Sequence, residues 1–267
     1  MLKPRVTGAA VFAACLIFAQ TSALRREDQP VPRTDQNSRI AHAQLLEKAR
    51  KGGIDVYFEG DSITRRWGTS DPQYKHFLAN WNKNFFGWNA ADFGWGGDTV
   101  QNILWRLQNG ELDGVNPKII VLLAGANNLG GAAPAGVEAA RVEEVTNGIR
   151  AILKVMLQKA PGATIILMGI TPRADRGTRM VATIGRINEN LARFADGNKV
   201  RYLNINAKLA DKDGKLLEGM TVDGLHLSLS GYQVWADALK PIFTELLGPP
   251  AKTDHAPPPT GDPGTPR

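Results

Sequence analysis

The chain has 267 residues, of which 43% are hydrophobic and 22% charged, and a formal net charge of +6. That length suits one good-sized core with tails. The basic residues are scattered among acids, with no Lys/Arg stripe and no recognisable binding module, which excludes a nucleic-acid partner and leaves a mildly basic surface.

Lys3 and Arg5 precede an apolar run from Val6 to Ala19, and the small residues Thr21-Ser22-Ala23 follow it. Residues 1–23 therefore read as a secretory signal cleaved near Ala23, which predicts a secreted or periplasmic protein. The run is shorter than the roughly 20 residues a membrane span needs, so no stable span is expected after cleavage; a retained anchor is the alternative. Cys15, the only cysteine, lies inside this segment, and the cleaved chain would have neither a disulfide nor thiol chemistry. Residues 24–39 are polar and charged with two prolines, a flexible leader. A single folded domain is expected over 40–248.

Ile40, Leu45, Leu46 and Ala49 mark an amphipathic helix over 40–51, and Ile54 to Glu59 a buried strand that breaks at Gly60-Asp61-Ser62. After a connection rich in tryptophan and asparagine, residues 89–93 form a short second strand ending at Gly94-Trp95-Gly96-Gly97-Asp98. Helical spacing of Val100, Ile103, Leu104 and Leu107 follows, capped by Asp98 or Thr99. Residues 118–124 are the clearest buried strand, ending at Gly125-Ala126-Asn127-Asn128; then come a helix over 137–159, a strand over 164–170, a helix over 180–194 and a strand over 200–204. A last helix over 230–247 has Ser230 as its cap, and the Pro- and Gly-rich residues 249–267 are expected to be disordered. Wholly apolar strands alternating with helices imply an α/β fold: a three-layer α/β/α, flavodoxin-like arrangement around a five-stranded parallel sheet.

In a parallel sheet the ends of the first three strands share one rim, which brings Ser62, Gly97 and Asn127 toward one pocket. A serine hydroxyl needs a base, most often a histidine oriented by a carboxylate. Of the four histidines, His42 falls on the outer helix, His76 in an irregular loop and His255 in the tail. His226 alone has an acid at turn spacing, Asp223, and a place on the rim. The catalytic candidates are therefore Ser62, Asp223 and His226. Backbone N–H groups of Ser62 and Gly97 and the Asn127 side chain are candidate donors to an oxyanion, with Asn128 as the rival of Asn127. In the plainer reading Asp61-Ser62 is a helix cap and Gly97 a positive-φ turn residue. No second histidine or cysteine stands at metal-ligand spacing, and no Gly-x-Gly-x-x-Gly follows a strand, so neither a metal nor another cofactor is expected.

Gly60-Asp61-Ser62-Ile63, Gly96-Gly97-Asp98, Gly125-Ala126-Asn127-Asn128 and Asp223-x-x-His226 resemble the four blocks of the SGNH, or GDSL, hydrolases. Within that family the run from Phe93 to Asn128, with Asn102 to Leu107 and Gly110-Glu111-Leu112, looks most like the catalytic subunits of platelet-activating factor acetylhydrolase Ib. The resemblance spans about residues 54–247. It implies Ser62 as nucleophile, Asp223 and His226 as its triad partners, and Ser62, Gly97 and Asn127 as the oxyanion hole. Those relatives pair as dimers, which makes a homodimer possible here. Two departures stand out. Ala126 occupies a position where close relatives usually carry threonine, and the aromatics Trp67, Trp81, Phe85, Phe86 and Trp88 are expected to reshape the pocket, either stacking on sugars or joining the core. The Gly-x-Ser-x-Gly elbow of α/β-hydrolases is absent, because Thr64 replaces its second glycine.

The expected activity is that of an exported serine esterase removing a short acyl group, most simply acetyl, from a small-molecule or glycan ester. A lysophospholipid or thioester substrate and a non-catalytic glycan-binding pocket are the alternatives.

Overall fold

The computed structural model describes residues 29–130, 136–174 and 177–264; the expected signal at 1–23 lies outside them. In chain order the elements are α1 (Gln36–Lys51), β1 (Val56–Gly60), α2 (Ser62–Gly68), α3 (Lys75–Phe85), β2 (Ala90–Asp92), α4 (Val100–Arg106), β3 (Ile119–Leu123), α5 (Glu138–Lys159), β4 (Thr164–Met168), α6 (Thr178–Ala192), β5 (Val200–Leu203), α7 (Asn206–Leu209) and α8 (Leu229–Leu247). The five strands form one parallel sheet in the order β2-β1-β3-β4-β5. Among the described residues no helix is long and apolar enough to cross a membrane.

The strands read as continuous apolar runs because both their faces are covered. Tyr57, Ile120, Leu122, Ile165 and Leu167 point into a core shared with α1, α4, α5 and α6. Their neighbours Val56, Phe58, Val121, Ile166 and Met168 point into a second core with α2, α3 and α8. The connection from β1 leads to one side of the sheet and the one from β2 crosses to the other, so the switch point lies between the carboxyl ends of β1 and β3. In open α/β sheets ligands bind in that crevice, outside the carboxyl ends of the strands.

The aromatics of the segment after Ser62 pack mainly into the core. Trp67, Trp81, Phe85 and Trp88 are buried, and only Phe86 stands exposed, at 56%. Trp81 and Phe85 lie 4.6 and 5.2 Å from the Phe58 ring, while Trp67 stacks on Tyr232 of α8 at 4.8 Å. Two of the indole N–H groups are paired: Trp67 Nε1 donates to Asn80 Oδ1 and Trp88 Nε1 to the Gly248 carbonyl. Tyr232 also donates its hydroxyl to the Ile63 carbonyl at 2.7 Å, which ties α8 to the helix that begins at Ser62. These rings hold α2 onto the sheet.

Three boundaries differ from expectation. The leader is anchored over its last residues: the Val31 N–H donates to the Gln101 carbonyl, Asn102 Nδ2 donates to the Val31 carbonyl, and Asp35 caps α1, which starts at Gln36 and not at 40. The last helix is capped by Ser228, whose Oγ accepts from the Gly231 N–H, so the helix begins before Ser230. Residues 249–264, expected to be disordered, run beside the outer edge of β2. Asp254 Oδ2 accepts from the Gly87 and Asn89 N–H groups at 2.7 and 3.2 Å, and the Thr260 carbonyl and Asp262 N–H bond to Ser70 and Asp71. An edge strand and the loops beside it offer unpaired backbone groups. Proline-rich chain also loses less conformational freedom when it is ordered against them.

Candidate active site

β1 ends at Gly60, where a Cβ would stand 2.2 Å from Thr64 Oγ1 and 2.5 Å from the Leu123 carbonyl; only glycine lets α2 fold back this tightly. Asp61 then caps α2, its Oδ1 accepting from the Ile63 N–H at 2.9 Å. Ser62 is the first residue of the helix, so the cap reading and the reactive-hydroxyl reading describe one turn. Burial pushes Asp61 up to about 7, opposed by the Ile63 amide, and its Oδ2 has no partner among the described residues.

His226 Nε2 lies 2.9 Å from Ser62 Oγ, and His226 Nδ1 lies 2.6 Å from Asp223 Oδ2. The three-residue spacing works because the loop wraps around the carboxylate: Asp223 Oδ1 accepts from the N–H groups of Leu225 and His226 at 3.1 and 2.8 Å, and Gly224 takes φ 80° between them. Burial lowers the His226 pKa below the ordinary histidine value; the Asp223 bond opposes this, and the Arg66 and Arg173 charges add to it. A lowered pKa favours the neutral imidazole, the form a general base needs. Burial tends to raise Asp223, but the hydrogen bonds from the His226 backbone and ring outweigh it and hold the carboxylate below its usual range.

The Gly96-Gly97 turn lies against the serine, since a methyl on Gly96 would stand 3.9 Å from Ser62 Cβ. Among the described residues neither the Ser62 nor the Gly97 N–H donates to a protein acceptor. Asn127 sits in a single 3₁₀ turn after β3 and donates one Nδ2 hydrogen to the Asp98 carbonyl at 2.9 Å, with no acceptor for the other among the described residues. The rival Asn128 is engaged elsewhere: its Oδ1 accepts from the Val100 N–H, and its Nδ2 serves Gln101 and Glu144. The structure thus brings together all five residues singled out in the sequence.

Residues that sequence reasoning passed over complete the surroundings. Arg66 Nη1 lies 3.5 Å from Asp223 Oδ2, and Arg173, buried below the site, donates to the Ala126 carbonyl at 2.7 Å. Behind the Gly97 turn, Arg106 is enclosed by three buried carboxylates, bonding Asp98 Oδ2 at 2.7 Å, Glu59 Oε1 at 2.5 Å, and Glu111. Nothing in the local sequence marks these arginines, because each finds its partner through tertiary contact. Removing the Arg66 charge from beside the imidazole favours its protonated form. Arg66→Ala should therefore shift the acid limb of the kcat/KM profile to higher pH, which a pH–rate series against the parent reads directly.

A parallel sheet with a Ser-His-Asp chain on its carboxyl rim defines a hydrolase of the α/β/α class, and the comparisons make the class specific. The model of the GDSL-like Lipase/Acylhydrolase family matches residues 58–234. The chain belongs to this family and is an ester-hydrolysing enzyme. It is similar to platelet-activating factor acetylhydrolase IB subunit alpha1 of Bos taurus, 31% identical over 207 residues, or 77% of this chain and 82% of the relative. The alpha2 subunit of Rattus norvegicus is 32% identical over 210 residues, covering 77% and 83%. In structure the chain resembles a GDSL-like lipase from Bacteroides thetaiotaomicron, with a TM-score of 0.59, 19% identity, and coverage of 78% of this chain and 98% of that one.

Proposed function

We propose that the protein hydrolyses short acyl esters through an acyl-Ser62 intermediate. The reading is carried by the unbroken chain from Ser62 Oγ through the imidazole to the Asp223 carboxylate, at 2.9 and 2.6 Å. In it, Ser62 Oγ attacks the ester carbonyl carbon while His226 Nε2 takes the hydroxyl proton, and Asp223 holds the tautomer and steadies the imidazolium. The Ser62 and Gly97 N–H groups and the second Asn127 Nδ2 hydrogen are the donors to the tetrahedral oxyanion. Collapse breaks the C–O bond to the alcohol, which leaves with the proton from His226. Water, deprotonated by the same nitrogen, then releases the acid and restores Ser62.

Two finer points belong to this reading. The curated relatives are named acetylhydrolases, which favours acetyl over longer acyl groups. The basic and apolar pattern of residues 1–23 favours export, and so an extracytoplasmic ester such as an acetylated glycan. The test is a panel of p-nitrophenyl esters from acetyl to octanoyl beside acetylated sugars and a lysophospholipid. We expect kcat/KM to be highest for acetyl, and a maximum at octanoyl or on the lysophospholipid would sink the acyl assignment.

A further inference from the structure

We infer that Arg33, in the leader ahead of the family-matched segment, is a positioning residue that aims the Gly97 N–H at the oxyanion. The inference rests on the hydrolytic reading above and deepens it. Gly96 and Gly97 are the central residues of a turn closed by the Asp98 N–H donating to the Trp95 carbonyl at 3.3 Å. Gly97 has φ 79°, the value a type II turn requires at its third residue. Types I and II differ mainly by rotation of the central peptide through about 180°. Glycine takes either sign of φ without steric cost, so residues 96 and 97 do not by themselves fix which way that peptide faces.

Arg33 fixes it. Its Nη1 donates to the Gly96 carbonyl at 3.0 Å, and a trans peptide points its C=O and N–H in opposite directions. With the carbonyl held toward the guanidinium, the Gly97 N–H of the same peptide points the other way and, among the described residues, meets no protein acceptor. The guanidinium is itself held: Nη1 also reaches Asp98 Oδ1 at 3.3 Å, Nε donates to Asp35 Oδ2 at 3.2 Å, and Asp98 is clamped from behind by Arg106. A Cβ on Gly97 would stand 3.1 Å from Arg33 Nη1, so the arginine packs directly on the turn. A cationic donor on the carbonyl also polarises the peptide and strengthens its N–H as a donor. Were the peptide reversed, the Gly96 carbonyl oxygen would take the place of the N–H and repel the developing negative charge. Arg33 touches neither Ser62 nor His226 in any hydrogen bond and acts only through the peptide it holds.

Steady-state kinetics on p-nitrophenyl acetate with thermal melts test this in Arg33→Ala, Arg33→Lys and Ser62→Ala. In Arg33→Ala we expect kcat to fall about 10- to 100-fold, as for an oxyanion donor partly lost, with KM within about twofold of the parent. Arg33→Lys keeps the positive charge beside Asp98 and one donor for the Gly96 carbonyl, and should recover part of that kcat at an unchanged melting temperature. Parental kcat in both Arg33 variants, or a loss confined to KM, overturns the inference. Activity surviving in Ser62→Ala would instead sink the hydrolytic reading, so the two failures are distinguishable.

Discussion

Ser62→Ala is expected to lower kcat for p-nitrophenyl acetate by about 10⁴-fold or more while leaving the fold unchanged. In the proposed mechanism the variant removes the atom that forms the acyl intermediate. What survives is the modest rate that binding and oxyanion donors give to attack by water. The fold should not notice, because among the described residues the Ser62 side chain bonds only His226, and the turn is built by Asp61, Gly60 and the Tyr232 bond to Ile63. A melting temperature equal to the parent's checks that part. In the proposed mechanism serine and histidine act as one unit, so His226→Ala should cost a similar factor, and the double variant little more than either single one.

Arg106→Leu is expected to destabilise the protein by about 3–5 kcal/mol, the usual cost of breaking a buried ion network from one side. The leucine would leave Glu59, Asp98 and Glu111 together in a space from which water is excluded, with the Phe93 carbonyl also losing its donor. Burial already raises the pKa of Glu59 against the pull of Arg106, and raises Asp98 to about 6. Carboxyls with a folded pKa above the unfolded value bind more protons when folded, so stability falls as pH rises between the two values. Loss of the guanidinium raises the folded pKa values further. The deficit of Arg106→Leu relative to the parent should therefore be smaller at pH 5 than at pH 8, which urea titrations at the two pH values would read. Since Asp98 follows Gly97 directly, the variant should lose activity in excess of its loss of folded protein.

Much of this fold is written in local sequence. The strands at 119–123 and 164–168 announce themselves because a strand covered on both faces has no polar alternation to hide it. The site was legible for a related reason: Ser62, Gly97 and Asn127 stand at strand ends, and a parallel sheet aligns those ends whatever the loops do. Asp223 and His226 were legible through a turn spacing. The choice of Asn127 over Asn128 came only from the family resemblance; its physical reason, Asn128 reaching Gln101 and Glu144, lies across the structure. Composition also misled at both ends of the domain. Proline and charge made the segments around Arg33 and Asp254 look unstructured, although each is ordered by backbone groups far away in sequence. The aromatic run from Trp67 to Trp88 allowed a pocket or a core, and only the positions of Phe58 and Tyr232 decide for the core.

The most direct measurement is the mass of the active-site peptide after treatment with a fluorophosphonate, which traps an activated serine as a stable adduct. Our expectation is one phosphonyl group per chain on Ser62, formed quickly in the parent, far more slowly in His226→Ala, and not at all in Ser62→Ala. An enzyme that turns over p-nitrophenyl acetate yet carries the label on another residue, or none on Ser62, would contradict it.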